Sequence, residues 1–204
     1  MKSTVVLAGG RSTRYGINKA LVQLRGRPLV MWVVMALSEV VDEVILSISS
    51  EHDPTKFKEV VGRKVVIVKD VQSDLGPVSG LIPSFSEAKG EYVAVAPCDS
   101  PFIKPELYSL LFERAQEHDG AVPFINNFWE PLHAVYKRKT YVQSLKNAQS
   151  QGKFRPVDAY ANLNIQKVTE EEVRSIDKEL FSFFNINSIE DHKKAEKIAE
   201  SLIY

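Results

Sequence analysis

The chain has 204 residues and 22.9 kDa, room for one well-buried α/β domain and cramped for two. Lys plus Arg and Asp plus Glu are equal at 26 each, so no overall field draws in nucleic acid or an anionic membrane. The lone cysteine, Cys98, excludes an intrachain disulfide or a Cys-rich metal site and points to the cytoplasm, the immediate strand leaves no room for a signal peptide, and the longest apolar run, 29–37, is too short to span a bilayer.

In chain order, short strands rich in Val and Ile are expected at 4–8, 43–49, 64–69 and 92–96. Helices are expected between them at 29–40, 54–61 and 78–88, followed by 104–117 with Pro105 in its first turn. Strands apolar on both faces and alternating with helices make a parallel sheet covered on both sides, with right-handed crossovers. The second half changes character. Strands at 121–123 and 131–136 are interrupted by Asn126, Asn127 and Pro131; helices follow at 140–151 and 155–163, and an apolar segment at 181–186 precedes a last helix at 189–202. Residues 1–204 read as a single domain, with 1–118 a nucleotide-binding half and 119–204 elaborating the sheet edge into an acceptor-binding half.

The first strand runs into Gly9-Gly10-Arg11-Ser12-Thr13-Arg14-Tyr15-Gly16-Ile17-Asn18-Lys19. Glycines let backbone N–H groups approach an oxyanion and the basic side chains supply charge, so the loop reads as a polyphosphate cradle. It is not a P-loop, because Gly16 is separated from Lys19 and Ala20 follows the lysine, and Gly10-Arg11-Ser12 breaks the dinucleotide fingerprint.

Pro97-Cys98-Asp99-Ser100-Pro101 ends the 92–96 strand. A lone carboxylate there suits Mg²⁺ beside a triphosphate, while an Asx-turn or helix cap is the structural alternative. Cys98 reads as a small buried packing residue. Gly76-Pro77-Val78-Ser79-Gly80, after Asp70 and Asp74, permits close approach of a flat ligand or is a plain loop–helix junction. Asn185 and Asn187 could hydrogen-bond a heterocycle or help cap the last helix, for which Ser188 is the expected N-cap. His133 and Tyr136 either line the second-substrate side or pack in the core, and Trp129 and Arg155 read as a core aromatic and a surface cation or as a stacking group and a phosphate-binding cation for the second substrate.

Leu7-Ala8-Gly9-Gly10-x-Ser12-x-Arg14-x-Gly16-x-x-Lys19 resembles the signature of nucleotidyltransferases with a three-layer α/β/α Rossmann-like fold. With Gly76–Gly80, Pro97–Pro101, Pro131–Tyr136 and Phe184-Asn185-Ile186-Asn187, the chain is similar to the molybdenum cofactor guanylyltransferases. The resemblance implies transfer of GMP from GTP to molybdopterin or its molybdenum form. It places Leu7, Ala8, Gly9, Gly10, Lys19, Ser47, Asp70 and Asp99 on GTP, Asp99 also on Mg²⁺, and Asn185 and Asn187 on the acceptor side. Lys19, Asp99 and Arg14 would carry catalysis, and a molybdoenzyme or cofactor-handling protein would in principle receive the product. The chain departs from the family pattern in having Asn18 where Asp is common, Ser47 where Asn is frequent, and Ser188-Ile189 where Thr-Pro is expected. Rival readings are cytidylyl transfer to molybdopterin, nucleotidyl transfer to a cobinamide or sugar phosphate, and a catalytically silent GTP- and molybdopterin-binding module.

Overall fold

The computed structural model describes residues 1–9, 18–70 and 76–202. Its strands are β1 (Lys2–Leu7), β2 (Gln23–Leu24), β3 (Arg27–Pro28), β4 (Glu43–Ile48), β5 (Val66–Lys69), β6 (Tyr92–Pro97), β7 (Gly120–Ile125), β8 (Phe128–Trp129), β9 (Ala134–Lys137) and β10 (Ile165–Thr169). The helices are α1 (Leu29–Ser38), α2 (Pro54–Val61), α3 (Val78–Glu87), α4 (Pro105–Arg114), α5 (Arg138–Ser150), α6 (Glu170–Ile176) and α7 (Ile189–Leu202).

Eight strands form one sheet in the order β10-β7-β9-β6-β1-β4-β5, with β8 on β7. Pairing is parallel from β6 through β1 and β4 to β5 and between β7 and β10; β9 runs against both of its neighbours. Side-chain alternation sends successive residues of each central strand to opposite layers. Val6, Leu46, Ala94 and Ala96 pack with α1, α2, α4 and α6, whereas Val5, Ile45, Val93 and Val95 pack with α3 and α5. This is the expected three-layer α/β/α arrangement.

A third apolar cluster joins Leu24 of the β2–β3 hairpin, Leu29, Phe102, Ile186 and the buried Ala195 and Ala199 of α7. It pins the segment before α7 against the loop after β6. Ser188 caps α7: its Oγ accepts from Asp191 N–H at 3.1 Å, and the Asp191 carboxylate accepts from Ser188 N–H at 3.0 Å.

The first-half elements lie close to their expected places. The β2–β3 hairpin and β8 were not expected, the strand expected at 131–136 begins only at Ala134, and further differences arise in the second half and its approach. The 104–117 helix stops at Arg114, and Glu117 turns left-handed at φ 64°. The 155–163 segment is a 3₁₀ run at Pro156–Asn162, and β10 with α6 stands where no element was expected. The interruption at Asn126 and Asn127 is a hairpin turn, with φ 49° and 65°, joining β7 to β8.

Candidate active site

The sheet order reverses beside β1: β4 and β5 extend to one side and β6 returns on the other. The crevice outside the carboxyl ends of such strands is where open α/β sheets take ligands. Leu7 is in register with both Ser47 and Pro97, Ala8 N–H donates to the Ser47 carbonyl at 2.7 Å, and Cys98 N–H donates to the Leu7 carbonyl at 3.0 Å. The chain therefore leaves three adjacent strands at one level. A cleft of about 590 Å³ opens there, walled by Leu7 to Gly9, Lys19, Ser47, Asp70, the Gly76–Gly80 corner and Asp99, within the usual range for small-molecule sites.

Lys19 heads a single 3₁₀ turn, Lys19–Leu21. Asn18 caps that turn, its Oδ1 accepting from Ala20 N–H at 2.8 Å, and its Nδ2 lies 3.0 Å and 3.1 Å from the His52 ring nitrogens. Burial lowers the His52 pKa. The asparagine that departs from the family pattern thus serves as a cap, a task asparagine and aspartate perform about equally. The Lys19 ammonium pairs with Asp99 Oδ2 and donates to Asn187 Oδ1 at 2.7 Å. Two charges from loops 80 positions apart meet with side-chain exposures of 19% and 18%, shielded yet open to a ligand.

Asp70 stands just beyond β5. Its N–H donates to the Ile48 carbonyl at 2.9 Å and its Oδ1 accepts from Ser50 N–H at 2.7 Å. A Cβ placed at Gly9 would come within 3.5 Å of Asp70 Oδ2, so loop and carboxylate share one wall. A Cβ at Gly80 would fall 2.5 Å from Ser47 Oγ; only glycine lets α3 approach β4 this closely. Cys98 is buried, and that burial, with the Asp99 carboxylate next to it, raises its thiol pKa. It is a packing residue, as expected.

Asn185, Ile186 and Asn187 lie extended over the loop after β6. Ile186 is fully buried and its N–H donates to the Asp99 carbonyl at 3.0 Å, while both asparagines are exposed on either side of it. Asn187 reaches Lys19, and Asn185 Oδ1 lies 2.5 Å from Ser100 Oγ. Neither lines the cleft itself.

The structure therefore brings together Leu7, Ala8, Gly9, Lys19, Ser47, Asp70 and Asp99, with Asn185 and Asn187 at the margin. Gly10, Arg14 and Asp74 lie outside the described residues. His133 and Tyr136 belong to the core instead: His133 is 2% exposed, and Tyr136 is buried and stacked on Tyr141 with centroids 3.7 Å apart. Trp129 packs edge-on to Phe124 and Tyr160, and Arg155 is tied to Asp158 at 2.8 Å. Reading the sequence missed the capping role of Asn18; the signal available was an N-cap residue type directly before Lys19-Ala20-Leu21.

The family model for the MobA-like NTP transferase domain matches residues 4–165. The chain belongs to this family. A protein of Methanosarcina acetivorans described as "Probable molybdenum cofactor guanylyltransferase" is 36% identical over 197 residues, covering 93% of this chain and 88% of the relative. A molybdenum cofactor guanylyltransferase of Desulfosudis oleivorans is 30% identical over 194 residues, covering 94% and 93%. Among solved structures, molybdopterin-guanine dinucleotide biosynthesis protein A from Archaeoglobus fulgidus superposes with a TM-score of 0.83 at 29% identity, covering 98% of this chain and 99% of that one. The 2-C-methyl-D-erythritol 4-phosphate cytidylyltransferase of Thermus thermophilus reaches a TM-score of 0.73 at 19% identity, covering 98% and 100%; that likeness is one of fold. Among the described residues no helix is long and apolar enough to cross a membrane.

Proposed function

We propose that the protein transfers GMP from GTP to molybdopterin, or to its molybdenum form, releasing pyrophosphate in the cytoplasm. The observation that carries this reading is the meeting of Lys19, Asp99 and Asn187 in one hydrogen-bonded group at the mouth of the cleft. Relatives at 30–36% identity across nearly the whole chain, described as molybdenum cofactor guanylyltransferases, support it.

The reaction is in-line attack by a phosphate monoester oxygen on the α-phosphorus, with the bond to pyrophosphate breaking. The monoester has a second pKa near ~6, so the nucleophile is already ionised at neutral pH and needs no strong general base. What must be overcome is repulsion between polyanions and charge gathering on the leaving group. The Lys19 ammonium meets that charge directly, and the Gly9 end of the loop allows close backbone approach to the phosphates. Asp99 balances the Lys19 charge; a triphosphate in the cleft would pair with the ammonium and leave the carboxylate available.

Among the described residues there is no cluster of three or more His, Cys, Asp or Glu side chains that could cage a metal. A single carboxylate at the cleft mouth fits Mg²⁺, a hard ion commonly held by one or two carboxylates together with substrate phosphates, and Asp99 is the residue that would hold it. Bound there, Mg²⁺ would supply Lewis-acid neutralisation of phosphate charge. Asp70, Ser47 and the Gly76–Gly80 corner form the far wall, on which we place the nucleoside.

Melting temperature in the presence of Mg²⁺ and each nucleoside triphosphate tests the nucleotide assignment. GTP should raise it most; a larger rise with CTP would overturn the guanine reading and favour a cytidylyltransferase.

A further inference from the structure

The turn that carries Lys19 leans on a histidine from another loop. His52 lies between β4 and α2, and its backbone is held on both sides. Its N–H donates to the Ser49 carbonyl at 3.0 Å, and the next residue, Asp53, caps α2 by accepting from Thr55 N–H at 2.9 Å. The ring is half-buried against Phe57, with centroids 5.8 Å apart. Facing it is Asn18, whose Nδ2 lies 3.0 Å from Nε2 and 3.1 Å from Nδ1 of that ring. The contact ties the segment before α1 to the loop after β4.

The hydrogens in this contact have one workable arrangement. Ala20 N–H can only donate, and it points at Asn18 Oδ1 at 2.8 Å, so the amide presents its NH₂ end to His52. That end also only donates. A neutral imidazole has one bare nitrogen to accept it, and an imidazolium has none. Protonating His52 therefore sets donor against donor. Turning the amide over would bring Oδ1 to the ring but place Nδ2 on Ala20 N–H, and the cap would be lost. Burial is the largest influence on the ring and favours its neutral form. Asp70 beyond β5 and Glu51 on the same loop favour the imidazolium, while Lys69 of β5 opposes it. From α2 the ring meets the uncharged Phe57, and the Lys19 ammonium is turned to Asp99. The balance holds the His52 pKa below its ordinary value of 6.5, so the ring is an acceptor at neutral pH.

We infer that His52 is a positioning residue for Lys19: as a neutral acceptor it holds the Asn18 amide in the orientation that caps the Lys19–Leu21 turn, and so fixes the root of the ammonium that meets the phosphates. The inference rests on the proposed role of Lys19 in guanylyl transfer. It also gives the departure at Asn18 a consequence. An aspartate there would cap the turn equally well, but its carboxylate would pair with a protonated ring, not a neutral one. The cap that this chain uses is acid-sensitive, whereas an aspartate cap would withstand acid.

The first test needs no turnover. The His52 pKa, read from its ring resonances in an NMR titration and assigned by their loss in His52→Gln, should rise by about one unit or more in Asn18→Asp. An unchanged value overturns the inference. The second test is kinetic. The monoester nucleophile titrates in the same range, so each variant is compared with the wild-type protein as a ratio of kcat/KM, from which the ionisation of the substrates cancels. Across the interval in which wild-type His52 takes up its proton, the ratio for Asn18→Asp should climb about fivefold towards acid. His52→Gln, which offers an acceptor that does not titrate, should show the same climb. A flat ratio in either variant that keeps its fold refutes the positioning role even where the pKa shifts. Failure of the wild-type protein to transfer GMP at all would instead strike the proposed function, since the His52 pKa does not depend on turnover.

Discussion

At the scale of single residues, the proposed chemistry rests on Lys19 and Asp99. Each is partly exposed and anchored by a loop whose backbone is held elsewhere, so removing either side chain should leave the fold standing. Lys19→Ala and Asp99→Asn are expected to lower kcat/KM about 10²- to 10³-fold, with melting temperatures within a few degrees of the parent. Near-normal turnover in both would contradict their roles. Gly80 offers a sharper stability prediction. Gly80→Ala forces a methyl group to 2.5 Å from Ser47 Oγ and should cost about 1–3 kcal/mol by overpacking. Ser47→Ala removes that oxygen and leaves the two Cβ positions 3.6 Å apart, an ordinary contact. The double variant should therefore be more stable than Gly80→Ala alone in urea unfolding.

His133 supplies a pH dependence. Its folded pKa is about 3 because burial disfavours the imidazolium, against 6.5 for the free side chain. Between those values the unfolded chain holds a proton that the native protein does not, so stability rises with pH through the window and is lost as pH falls below about 6.5, at about 1 kcal/mol per pH unit. His133→Gln should flatten that part of the stability profile relative to the parent. An unchanged slope would show that His133 is protonated in the native state.

At the scale of elements, local chemistry and tertiary packing divided the work. Strands β1, β4, β5 and β6 and the helices between them were legible because each is an apolar run or a periodic face bounded by Gly, Pro or a cap, whereas the two-residue strands β2 and β3 were not. The site loops could be placed because they follow those strands directly. What lay hidden was β10 and α6: Ile165-Gln166-Lys167-Val168-Thr169 has only Val168 fully buried, and it is a strand because β7 offers it a parallel edge. The α6 start, by contrast, carried a readable capping box, Thr169 with Glu172. The convergence of Asn187 on Lys19 depends on Ile186 being drawn into the cluster beneath α7, a contact across 168 positions that no local pattern contains. The cap on α7 should matter for that reason. Ser188→Ala should cost about 1 kcal/mol, measured by chemical unfolding, and loosen the neighbouring asparagines; no change in stability would show that Asp191 alone suffices to hold the turn.

At the scale of the molecule, one sheet order explains why motifs separated along the chain act in one place. The reversal beside β1 brings the carboxyl ends of β1, β4, β5 and β6 to a common edge, where the segment before α7 meets the Asp99 backbone. Equal numbers of acidic and basic residues leave the surface without a global field, so the cation at the cleft mouth is a local device for a small anionic substrate. The most direct measurement is pyrophosphate release by the purified protein with Mg²⁺ and GTP, in the presence and absence of molybdopterin. Release is expected to require both substrates and to fall at least about a hundredfold in Lys19→Ala. Release that proceeds equally well without molybdopterin, that occurs only with CTP, or that survives loss of Lys19 would contradict guanylyl transfer at this cleft.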